Sequence, residues 1–91
     1  MFLLFIVEQR SQARSGNSTI LGYHADIEPL FTDAGIVPAN FPQNLSELRT
    51  ATADVINGLL TAYNQPINGN LYIRKERLAK YLGIRMVFME E

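Results

Sequence analysis

Ninety-one residues, 47% apolar and 19% charged, with a formal net charge of −1, predict one small folded domain and argue against intrinsic disorder. The near-neutral charge is not that of a dedicated phosphate binder. With no cysteine there is no disulfide framework and no thiolate chemistry or ligation, which suits a reducing, cytoplasmic setting. A domain of this size buries only about 60 to 65% of its extended surface, so a partner surface would add to its stability.

The chain opens on Met1-Phe2-Leu3-Leu4-Phe5-Ile6-Val7, a near-continuous apolar run. It has no basic leader, no small-residue cleavage site after it, and far fewer than the roughly 20 apolar residues of a membrane span. The expectation is a buried strand covered on both faces, with an N-terminal helical turn as the alternative, and no membrane association. Glu8 to Thr19 is polar, contains Gly16 and follows neither helical nor strand periodicity, which predicts a long loop. Arg10 and Arg14 in that loop are candidates for contact with phosphate or a protein partner. Asn17-Ser18-Thr19 and Asn44-Leu45-Ser46 match the glycosylation acceptor pattern and, without a secretory signal, are read as chance.

Ile27, Leu30 and Phe31 predict a short helix from about Asp26 to Ala34, with Pro29 in its first turn and Gly35 as its C-cap. Residues 37 to 44 then read as a connector, because Pro38 and Pro42 force their predecessors toward extended conformations, with Phe41 anchored on the core. The clearest element is a helix from Leu45 to about Tyr63. Asn44 is its N-cap, and Glu47 stands three residues later, where its carboxylate can reach back to the cap. Leu48, Thr52, Val55 and Leu59 form its apolar stripe, reinforced by Leu45, Ile56 and Leu60, while Arg49, Thr50 and Asp54 lie on the polar face.

Asn68-Gly69 between short apolar segments predicts a tight hairpin turn with a strand from Leu71 to Ile73; the alternative makes Asn70 an N-cap and starts the helix at Leu71. Arg74 to Leu82 reads as helix, with Gly83 as its cap and Ile84 folding back over Leu78 and Ala79. Ile84 to Met89 is expected to be a closing strand paired with the first. The predicted fold is therefore α+β: a small sheet of N- and C-terminal strands, with the short hairpin, packed against two to three helices.

Chemistry-bearing patterns are few. His24, Asp26 and Glu28 alternate, so a strand would place all three on one face and offer a weak candidate for metal or acid–base work. The same carboxylates are explained as favourable charges in a helix's first turn, so no metal site, cofactor or catalytic residue is assigned. Tyr23, His24 and Asp33 are the side chains from which an oligomer could build an interface site. No nucleophile elbow, phosphate-binding loop, zinc spacing or dinucleotide fingerprint occurs. Residues 71 to 85 carry Arg74, Lys75, Arg77, Lys80 and Arg85 against Glu76 alone, a net +4 that leaves −5 for the remainder. Such a segment could dock on nucleic acid or on the acidic surface of a protein.

Within it, Arg77-Leu78-Ala79-Lys80-Tyr81-Leu82-Gly83-Ile84 resembles the first helix and turn of helix-turn-helix proteins. That resemblance implies a recognition helix next, inserted in the major groove of DNA. This chain instead continues Arg85-Met86-Val87-Phe88-Met89-Glu90-Glu91, and no base-reading residue is nominated.

The leading expectation is a non-enzymatic structural or regulatory interaction module, forming a homo-oligomer or docking on a protein partner. A heterologous mode of association would build rings or filaments, as in phage and other structural assemblies. A nucleic-acid-binding accessory protein using residues 74 to 85, with Arg10 and Arg14, is the second reading. Metal-dependent activity around His24 is the third.

Overall fold

The computed structural model describes residues 1–85, and among these the chain forms four helices and no sheet. They are α1 (Phe2–Asn17), α2 (Leu45–Thr50), α3 (Ala53–Ala62) and α4 (Leu71–Leu82). A lone antiparallel bridge between Asp26 and Asn44 is the one strand-like pairing among the described residues. The expected α+β plan is thus replaced by a small helical domain. Met86 to Met89 of the anticipated closing strand lie outside the described residues.

The largest correction is α1, where a strand and a long loop were expected. Leucine, glutamate, glutamine, arginine and alanine all favour helix, and no glycine interrupts before Gly16. The inward stripe runs through Ile6, Gln9, Arg10, Ala13 and Asn17, which recur every three or four residues. Three of those five are polar, so hydrophobic periodicity is absent although the helical periodicity is present. Their partners are backbone groups. Gln9 Nε2 donates to Pro29 O at 2.8 Å, and Gln9 Oε1 accepts from the Phe31 amide at 2.8 Å. Arg10 Nε donates to Phe31 O at 2.8 Å.

Those bonds also explain why the predicted helix from Asp26 to Ala34 does not form. The Ile27 amide donates to Gln43 O at 2.8 Å, the Glu28 amide to Asn17 Oδ1 at 2.7 Å, and the Phe31 amide to Gln9. Pro29 has no amide hydrogen to offer. The segment therefore runs irregularly along α1, where side-chain amides satisfy its buried backbone. It still delivers Ile27 and Leu30 to the core. Its turn closes with the Gly35 amide donating to Thr32 O at 2.9 Å and the Thr32 amide to Ile36 O at 2.8 Å.

The expected long helix divides into α2 and α3. Asn44 caps α2 as anticipated, its side chain accepting from the Glu47 amide at 2.9 Å, while Glu47 Oε1 accepts from the amide of Gln43, one residue before the cap. Ala51 and Thr52 then turn extended, with ψ of 147° and 162°. Thr52 leaves the apolar stripe and caps α3 by accepting from the Val55 amide. The break lets Leu45 and Leu48 face the same core as Ile56, Leu59, Leu60 and Tyr63.

The hairpin is likewise corrected. Asn70 Oδ1 accepts from the Ile73 amide at 2.8 Å, and α4 begins at Leu71. Gly69 does take a positive φ of 96°, but that turn leads into a capped helix and not into a strand. At the other end Gly83 adopts φ 87°, the Ile84 amide reaches Ala79 O at 3.0 Å and the Gly83 amide reaches Lys80 O at 3.1 Å. This paired closure is the expected glycine cap. It buries Ile84 with Leu78, Ala79 and Leu82. Helices α3 and α4 pack on each other, and the C-terminal part of α1 packs on α4.

Candidate functional site

Two surfaces stand out: the apolar start of α1 and a cleft between α2 and α4. Of the first seven residues only Ile6 is buried, and Met1, Phe2, Leu3, Leu4, Phe5 and Val7 are each between 51% and 93% exposed. The Phe2 ring lies over Gly35, where an added Cβ would stand 2.7 Å from its Cζ, and the Phe5 ring stands 5.8 Å from that of Phe31. Ile36 and Val37, exposed on the neighbouring turn, lengthen the patch. The sequence marked these residues as needing cover, and the fold leaves them at the surface.

The basic residues singled out in the sequence are distributed around the fold. Arg10 pairs with Asp33 at 2.8 Å as well as with Phe31 O. Arg14 Nε donates to Tyr81 O at 2.8 Å, and its guanidinium lies 4.6 Å from the centre of the Tyr81 ring. Arg74 Nη1 donates to Asn57 Oδ1 at 2.6 Å, joining α4 to α3. Arg77 Nη1 donates to Pro66 O and Asn68 O at 2.8 and 2.9 Å, holding the loop between those helices. Lys75 Nζ donates to Arg49 O in the last turn of α2. Lys80 and Arg85 are exposed. The helical turn of 100° per residue places Arg74, Arg77 and Lys80 at successive steps of about 60° on one side of α4 and sends Lys75 toward another.

His24, Asp26 and Glu28 are all exposed, and among the described residues no three or more metal-capable side chains come together. Asp26 bridges to Asn44 through its backbone, and Glu28 is tied through its amide to Asn17. The alternation is thus spent on docking this segment.

His24 and Lys75, distant in sequence and assigned to different readings, meet at an open cleft of about 620 Å³. Arg49 and Thr50 line it from the end of α2, and Leu71 and Tyr72 from the first turn of α4. Tyr23 and Ser46 complete the wall. The Ser46 amide donates to Tyr23 O at 3.0 Å, which fixes the loop against α2, and the Arg49 guanidinium lies 4.8 Å from the centre of the Tyr23 ring. Among the described residues no carboxylate lines the cleft. Ser46, Arg49, Thr50 and Tyr72 were not among the sequence candidates. Their one available signal was spacing, since Leu71, Tyr72 and Lys75 recur on one side of a helix that starts at Leu71. No helix among the described residues is long and apolar enough to cross a membrane. The chain matches no protein-family model, no curated protein and no solved structure.

Proposed function

We propose that this protein is a small non-enzymatic interaction module that self-associates through the N-terminal half of α1. The observation that carries this reading is the exposure of Met1, Phe2, Leu3, Leu4, Phe5 and Val7 as a contiguous surface. Contiguous apolar patches of this kind are uncommon on a monomer and mark interaction sites. Successive residues spaced 100° apart make these turns apolar on every side, a pattern met where a helix is surrounded by protein. A second copy supplies matching apolar surface without a separate partner. The nucleic-acid reading has less support, because Arg10, Arg14, Arg74 and Arg77 all hold internal hydrogen bonds.

Solution mass across a dilution series tests the proposal, comparing the natural chain with a Leu3→Lys, Val7→Lys double variant. A concentration-dependent multimer that the double variant converts to monomer, with unchanged helical circular dichroism, is expected. A monomer at every concentration would refute it, as would an equally multimeric variant. A monomer that sediments with lipid vesicles would assign the same face to a membrane surface instead.

A further inference from the structure

We infer that the cleft between α2 and α4 binds a small organic phosphate monoester carrying a flat aromatic ring. This is independent of self-association, because none of the apolar residues of α1 lines the cleft. Its volume of about 620 Å³ lies within the range of small-molecule sites, about 300 to 1,000 Å³.

The wall divides by chemistry. Arg49 and Lys75 supply two cations and Ser46 a hydroxyl beside them, while the Thr50 hydroxyl donates to Ser46 O at 3.0 Å and presents only its oxygen. Tyr23, Tyr72 and Leu71 supply aromatic and apolar surface, with His24 at the edge. Among the described residues no carboxylate lines the cleft, so an anion entering it meets no fixed charge of its own sign from them. The guanidinium of Arg49 lies over the Tyr23 ring, an arrangement that steadies the group and leaves its in-plane donors to bind oxygen. Lys75 is also held in place, since one of its three ammonium donors is used on Arg49 O. Two positioned cations with the adjacent Ser46 hydroxyl suit the several acceptor oxygens of a phosphate monoester. The aromatic remainder of the wall suits a flat ring attached to it.

Titration of the full chain with adenosine 5′-monophosphate, followed by amide chemical shifts, tests this. Adenosine and inorganic phosphate serve as the two half-ligands. Saturable shifts clustered on Tyr23, Arg49, Thr50, Tyr72 and Lys75 are expected, with each half-ligand binding about tenfold or more weakly. Arg49→Gln should weaken binding by about tenfold or more while the thermal midpoint of the free protein is kept. Ser46→Ala provides a milder variant that disturbs neither cation, with a loss of severalfold. The inference is overturned by shifts that do not saturate at millimolar ligand, by shifts centred elsewhere, or by undiminished affinity in a folded Arg49→Gln protein.

Discussion

The side-chain amide of Asn17 donates to the carbonyl oxygen of Leu82 across 2.8 Å, joining the C-terminal ends of α1 and α4. The same nitrogen reaches Glu28 O at 3.0 Å, and Asn17 Oδ1 accepts from the Glu28 amide at 2.7 Å. Asn17 is fully buried, so one side chain satisfies backbone groups of two other segments where water cannot.

Replacing Asn17 with alanine should therefore cost about 3 kcal/mol in urea unfolding, because three hydrogen bonds go and buried partners are left unsatisfied. Asn17→Asp separates the amide donor from mere shape. Its carboxylate would face two carbonyl oxygens, so its deficit relative to the natural chain should be larger at neutral pH than near about pH 4, where the acid is substantially protonated. A deficit independent of pH would argue that Asn17 acts through packing alone.

Gly83 is constrained twice. It holds φ 87°, and an added Cβ would stand 2.9 Å from Arg14 Cα and from Arg14 O. Gly83→Ala should lower stability by about 2 to 3 kcal/mol, since the left-handed backbone and the approach of α1 to α4 are penalised together. Gly58, with open space around it in α3, is the control, and Gly58→Ala should stabilise by about 0.5 to 1 kcal/mol. Thermal unfolding of the two variants should move in opposite directions.

Tyr63 makes stability fall at alkaline pH. Its ring is buried and its hydroxyl donates to Leu30 O at 2.7 Å. Burial pushes the phenol well above its ordinary range, and the neighbouring Tyr81 adds to the rise. A group whose folded value is raised contributes stability that is fully present below the unfolded value, about 10 for tyrosine. That contribution is lost as pH climbs above it, because the unfolded chain ionises first. Unfolding free energy should decline beyond about pH 10, with Tyr63 contributing a slope of up to about 1.4 kcal/mol per pH unit. Tyr63→Phe should be about 1 to 2 kcal/mol less stable at neutral pH and should lack that part of the slope. Parallel pH profiles for the two proteins would contradict this account.

What the sequence determined by itself is the local chemistry of helix ends. Asn44 caps α2 and Gly83 closes α4 because their hydrogen-bond partners lie within five residues, inside the reach of a local pattern. The core helical residues from Leu45 to Leu60 were legible for the same reason, although the division at Ala51 was not, because a Thr52 on an apolar stripe serves equally as a cap. The residues around Asn70 suit a cap or a hairpin, and the Ile73 amide on Asn70 Oδ1, with α4 starting at Leu71, makes it a cap. The tertiary structure alone decided the rest. Met1 to Val7 is apolar enough for strand or helix, and only its continuation through Gln9, Arg10 and Asn17 makes it helical. Those polar residues form an inward stripe that hydrophobic periodicity cannot register, because their partners are backbone groups 11 to 22 residues away, or 65 in the case of Leu82. The cleft is the same kind of object. It joins Tyr23, Arg49 and Lys75, which share no local spacing and meet because Lys75 of α4 donates to Arg49 O while Tyr23 packs beneath Arg49.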